Sequence, residues 1–143
     1  IHENIKTLGK EKDYENKKIN FLPLFFDAAN PSSSLGWNEN ERKSFKERAN
    51  FDGMIALAFE HHLAIGKNIP LNQVILWLTS LAPKGLIEFV PKDDITVKKM
   101  LEFKGDIFNE YSVENFEKYL NLHSKIVSKK NIETGRIIYE FQR

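Results

Sequence analysis

The chain has 143 residues, 41% of them hydrophobic and 11 of them Phe, which is enough apolar material for one ordinary domain with a real core. Its 21 basic side chains balance 20 acidic ones to a net charge of +1, which excludes a strong field for nucleic acid or anionic lipid. Without cysteine it has neither disulfides nor thiolate metal sites, and no apolar run is long enough to span a bilayer, so a soluble, cytoplasmic protein is the expectation.

The opening Ile1-His2-Glu3-Asn4-Ile5-Lys6 carries neither an initiator Met nor a signal pattern and reads as a start within a longer protein. Residues 1–17 offer only Ile5, Leu8 and Tyr14 as an apolar face, which predicts a mostly solvated helix followed by a loop. Ile19 to Phe26 is a short apolar and aromatic run closing on Asp27. It suits a strand, with Pro23 confining it to an edge. Asn30 to Gly36 is dense in turn formers, and Asn40 to Ala49 supplies a short charged helix anchored by Phe45.

Asp52-Gly53 leads into Met54 to Phe59, an almost unbroken apolar run that predicts a central strand covered on both faces. Pro70 opens a helix on which Leu71, Val74, Ile75, Leu78 and Leu81 recur at helical spacing, and Pro83 with Gly85 ends it. Gly85 to Val90 gives the next buried strand. Asp93 and Asp94 are placed to cap a helix through Val97, Met100 and Leu101, and Ser112 opens another with Phe116, Tyr119 and Leu120 inside. Lys125–Lys130 and Arg136–Phe141 are two strand-like runs joined by a short link containing Gly135, so they must be antiparallel. The expectation is a single α/β domain with a mostly parallel sheet, an antiparallel C-terminal strand pair and helices on both faces.

Three segments carry a resemblance: Phe25-Phe26-Asp27-Ala28-Ala29-Asn30-Pro31, Ala56-Leu57-Ala58-Phe59-Glu60-His61-His62-Leu63, and Ile87-Glu88-Phe89-Val90-Pro91-Lys92-Asp93-Asp94. In this order they resemble class I S-adenosylmethionine-dependent methyltransferases, most closely a bacterial branch sometimes labelled nodulation-related, over roughly residues 19 to 143. The resemblance implies a Rossmann-like sheet of order 3-2-1-4-5-7-6 with the last strand antiparallel. On that mapping Ile19–Phe26 is the third strand, Met54–Phe59 the fourth and Leu86–Val90 the fifth, with the terminal pair as sixth and seventh. The first two strands, with the glycine-rich cofactor loop and the ribose-holding acid, have no counterpart in the sequence. The chain then corresponds to the C-terminal part of a methyltransferase domain, and self-association or pairing with the missing N-terminal segment would complete its sheet.

The resemblance also implies site residues. Asp27 and Ala28 would meet the adenine of S-adenosylmethionine, a role favoured by their place at the carboxyl edge of a parallel sheet over the alternative of an Asp capping the turn before Asn30-Pro31. Ala58 and Phe59 end the fourth strand beside the cofactor. His61, His62 or both could act as general base, or could merely orient the loop. A metal role is less favoured, because adjacent His residues point different ways and no H-E-x-x-H spacing accompanies them. Glu88 is the polar member of an apolar strand and needs a partner: Lys92, a His or an acceptor group. Asn30 and Trp37, with Lys92, could line an acceptor pocket, Trp37 equally serving as a plug over the core. The methyl acceptor itself is not specified. A non-catalytic interaction module that keeps the methyltransferase scaffold is the competing expectation, and an unrelated nucleotide-binding α/β protein a third.

Overall fold

The computed structural model describes residues 24–143, so the expected helix within 1–17 and Ile19–Pro23 lie outside the described residues. The chain divides into two compact units, 1–31 and 32–143. In the first, residues 24–26 carry no strand, which corrects the expectation for the end of the Ile19–Phe26 run. The backbone turns directly after them: the Asp27 carbonyl accepts from Asn30 N–H at 3.1 Å, and Asp27 Oδ1 accepts from Ala29 N–H at 3.0 Å. This is the local Asp turn that competes with extended structure.

The second unit is built on four strands, β1 (Met54–Ala56), β2 (Lys84–Phe89), β3 (Lys125–Asn131) and β4 (Ile137–Gln142), in the order β1-β2-β4-β3. β1 and β2 are parallel, with Met54 opposite Gly85 and Ala56 opposite Ile87. β4 runs antiparallel to both β2 and β3. The sheet is therefore mixed rather than mostly parallel, with one parallel pair among three. The cause is the terminal hairpin: a short link at Gly135 forces β3 and β4 antiparallel, and β4, not β3, takes the place beside β2.

Four helices follow the sequence closely: α1 (Phe45–Arg48), α2 (Leu71–Leu81), α3 (Ile95–Lys104) and α4 (Val113–His123). α1 is shorter than the expected 40–49 segment. Ser44 and Glu47 form a reciprocal capping box that starts the helix at Phe45, while Arg42 before it forms an isolated antiparallel bridge with Leu35. Asp94 caps α3 by accepting from Thr96 N–H, and Ser112 caps α4 by accepting from Asn115 N–H. The α2 residues Leu71, Val74, Ile75, Leu78 and Leu81 are all buried, and α2 packs against α4. Phe116 of α4 stands between Phe89 of β2 and Tyr139 of β4, with ring centroids 5.2 and 5.0 Å away. That aromatic row joins helix and sheet.

β1 differs from expectation. It is three residues long and lies at an edge of the described sheet, with Ile55 71% exposed and Leu57 exposed as well. It stops at Ala56 because Ala58 adopts a left-handed φ of 48°, which turns the chain off the sheet. The two sheet edges are unlike. β3 presents Lys125, Lys129 and Lys130 and carries a bulge between Ile126 and Ser128, the usual protections of an edge, whereas β1 presents apolar side chains and no charge.

The β1–β2 pairing depends on a glycine. A Cβ at Gly85 would overlap the Met54 carbonyl oxygen and come within 3.0 Å of the Phe141 ring. Gly85→Ala is expected to destabilise the fold by about 1–3 kcal/mol through overpacking. Urea unfolding of the two proteins checks this, and equal stability would mean that β1 can move away from β2 freely.

Candidate functional site

The carboxyl ends of β1 and β2 lie side by side, and two buried carboxylates organise them. Glu88 is 6% exposed on β2. Its Oε2 accepts the Ala58 N–H at 2.5 Å, and its Oε1 lies 3.7 Å from the Arg136 guanidinium. Arg136, at the entry to β4, donates through Nε and a terminal nitrogen to Asp94 Oδ2 at 2.9 and 2.8 Å. Asp94 in turn caps α3. Burial raises the Asp94 carboxyl, but the Arg136 hydrogen bonds and the Thr96 and Val97 N–H groups outweigh it and hold the group below its ordinary value. One cluster thus fastens the β1 turn, β2, the start of α3 and the start of β4.

The second carboxylate is Glu60, fully buried at the first residue of the helical turn after β1. Its Oε1 accepts from Val90 N–H at 3.0 Å and from the Tyr111 hydroxyl at 2.6 Å. Tyr111 Oη is also 2.6 Å from the Val90 carbonyl, so two oxygens share one phenolic hydrogen. Burial, then the Glu60 charge, push the Tyr111 phenol far above its ordinary range and keep it protonated as a donor. Glu60 Oε2 lies 3.3 Å from His61 Nδ1. The turn continues as a π-helical segment, His62–Gly66, whose last carbonyls accept from Lys104 of α3: Ile65 O and Gly66 O at 2.8 Å each, with Asn68 Oδ1 also at 2.8 Å.

The two histidines therefore occupy different environments. His61 is 1% exposed and tied to Glu60, whereas His62 is exposed at its edge and lies with its ring 4.2 Å from that of His61. Desolvation of the covered face, then the proximity of His61, lower the His62 imidazole below its ordinary value, with Glu60 opposing. His62 is thus a neutral imidazole near neutral pH, able to accept a proton.

Of the residues expected at a site, Ala58, Phe59, His61, His62 and Glu88 are brought together at the ends of β1 and β2. The Ala58 N–H is committed to Glu88. Lys92 does not pair with Glu88; it binds Asp106 at 2.7 and 2.9 Å. Trp37 does not plug the core: it is 88% exposed on a 3-10 turn whose Asn38 and Glu39 have left-handed φ. Asp27, Ala28 and Asn30 belong to the separate 1–31 unit, where Asp27 makes the turn described above. Glu60, Tyr111 and Arg136 are the functional-cluster residues that sequence reasoning missed. Glu60 carried a signal, since an acid directly after an apolar run and before two His must find donors if buried. Arg136 and Tyr111 carried none, because each reaches its partner across 42 to 51 residues of chain. Among the described residues no three acidic or His side chains converge as a metal set, and no helix is long and apolar enough to cross a membrane.

The chain is 51% identical over 125 residues to Nodulation protein NoeA of Rhizobium meliloti (strain 1021). The aligned part is 87% of this chain but 26% of that protein, so the chain spans about a quarter of its relative's length. No protein-family model matches the chain, and no solved structure matches it.

Two outcomes follow from the geometry. Tyr111→Phe keeps the ring but removes the donor to buried Glu60, and is expected to cost about 1–3 kcal/mol in urea unfolding; a neutral effect would show that Glu60 does not need the phenol. The depressed Asp94 carboxyl stabilises the fold fully above its unfolded value of 3.8, and that contribution fades as the pH falls through the lower folded value. The stability gap between the parent and Asp94→Asn should therefore narrow as the pH is lowered from about 6 to about 3. A gap independent of pH would mean that Asp94 acts only as a neutral cap.

Proposed function

We propose that this chain is the C-terminal part of a Rossmann-like methyltransferase domain that moves a methyl group from S-adenosylmethionine to an acceptor. The observation that carries the reading is the order and direction of the strands. β1-β2-β4-β3, with β4 alone reversed, corresponds to fourth, fifth, seventh and sixth strands of the sheet that the three resembling segments imply. The chemistry-bearing residues gather at the carboxyl end of the parallel pair, where ligands of such sheets sit. The apolar, unprotected β1 edge supports a continuation of the sheet on that side.

S-adenosylmethionine supplies an electrophilic methyl carbon on a sulfonium, and the protein's main part is alignment. The described residues fit one rim of such a cofactor: left-handed Ala58 turns the chain off the sheet edge, and Phe59 follows it. Glu88 is a positioning residue that fixes this turn through the Ala58 N–H. His62 is the residue offered as base, which would take the proton from an acceptor hydroxyl or amine. His61, held by Glu60, fixes the His62 ring from behind. The glycine-rich loop that would hold most of the cofactor has no counterpart in these residues, so full binding requires sequence beyond them. The resemblance assigns Asp27 and Ala28 to the adenine of the cofactor and Asn30 to the acceptor. Trp37 and Lys92 are assigned to the acceptor side as well.

A second reading, an interaction module on the same scaffold, draws on one observation: Glu60 and Glu88 are satisfied by internal partners, as structural carboxylates are. Calorimetric titration of S-adenosylhomocysteine separates the two. The methyltransferase reading expects binding by a protein extended upstream through the cofactor loop, and weakening by Asp27→Ala there. No binding by the extended protein would favour the interaction module.

A further inference from the structure

The loop 107–111, the start of α2 and Tyr119 of α4 enclose an open groove of about 520 Å³, within the usual range of small-molecule sites. We propose that it binds an uncharged polyhydroxyl ligand. The groove is lined by side-chain amides that can both donate and accept. Asn109 makes no hydrogen bond to another described residue, and Asn72 uses its oxygen on the Gln73 N–H and retains its two amide donors. Phe108 and Tyr119 add aromatic surface for the apolar face of a ring.

Charge decides the ligand class. The Lys104 ammonium that reaches Asn68 at the rim already donates to three oxygens at 2.8 Å, so it has no hydrogen left for an anion. Glu110 brings a carboxylate into the lining, and the Tyr119 hydroxyl donates to it at 2.7 Å. A phosphate or carboxylate ligand would face this acid with no Lys or Arg among the lining residues to offset it, the Lys118 ammonium being placed over the Tyr119 ring, 5.8 Å from its centroid. A hydroxyl-rich neutral ligand meets the amides, the acid and the phenol on suitable terms.

The groove also communicates with the end of β1. Its floor includes Tyr111, 3% exposed, whose hydroxyl holds Glu60; Glu60 contacts His61, and His61 faces His62 at 4.2 Å. Binding here requires no methyl donor, so this proposal and the methyltransferase reading fail separately.

Glucose, glucosamine and glucose 6-phosphate share a ring and differ in charge, and their binding can be followed by the backbone amide spectrum of the chain. Glucose is expected to shift the amides of 68–72 and 107–111, with glucose 6-phosphate about tenfold weaker or worse. The double variant Asn72→Ala with Asn109→Ala should weaken glucose by about tenfold while the remaining spectrum stays folded. Asn109→Asp, nearly isosteric and on the surface, provides a second variant that should also weaken glucose. Absence of glucose shifts in the groove, or tighter binding of either charged sugar, would overturn the assignment.

Discussion

The Glu88 carboxylate is the constraint on which the rest of the second unit depends. It sits in the middle of a run of buried positions, Ile87 to Val90, where a charge is costly unless every lone pair finds a donor. The nearest donors are not on its own strand. One is the Ala58 N–H, which becomes available only because β1 ends two residues earlier and the chain turns through a left-handed residue. The other is Arg136, which must lie beside β2 and so requires β4, not β3, to be its neighbour. Satisfying one acid therefore coincides with the length of β1, the strand order and the docking of α3 through Asp94.

Glu60 repeats the device one turn further on. Its donors come from the end of β2 and from Tyr111 ahead of α4, so the segment after β1 is fastened to both following connections. Lys104 completes the arrangement from α3 by gathering the carbonyls that the π-helical turn leaves over. All these bonds converge on the region that presents His61 and His62. A rigid frame of internally satisfied acids around one exposed, neutral imidazole suits a residue that must hold a fixed direction while exchanging a proton.

Periodicity made the helices legible. The α2 stripe from Leu71 to Leu81 and the Ser112 cap of α4 rest on interactions within ten residues or so, which is what spacing reports. The strand pair at the C-terminus was legible for the same reason, since a short glycine-containing link fixes its direction. The misreading of β1 came from the opposite situation. An unbroken apolar run looks the same whether both faces are covered within the domain or one edge is left bare, and only the sheet order tells them apart. Trp37 shows a parallel limit: an aromatic in a turn-rich segment has no period, so its exposure was not encoded locally. Within the site, the residues that follow β1 and end β2 were legible as a group, whereas Arg136 and Tyr111 became visible only through tertiary contact.

The contrast between the sheet edges bears on where the sheet of the second unit can be extended. Lysines and a bulge on β3 oppose the addition of a strand, because each incoming strand would have to desolvate several charges and accommodate a break in the ladder. β1 has no such device, and its exposed Ile55 and Leu57 lie on the same short segment whose turn is clamped by Glu88. A strand laid against β1 would bury those side chains and bring its own backbone next to Ala58 and Phe59. Because the clamp fixes the β1 turn through the Ala58 N–H, a chain segment arriving at that edge would meet an ordered turn and would not have to order it on binding.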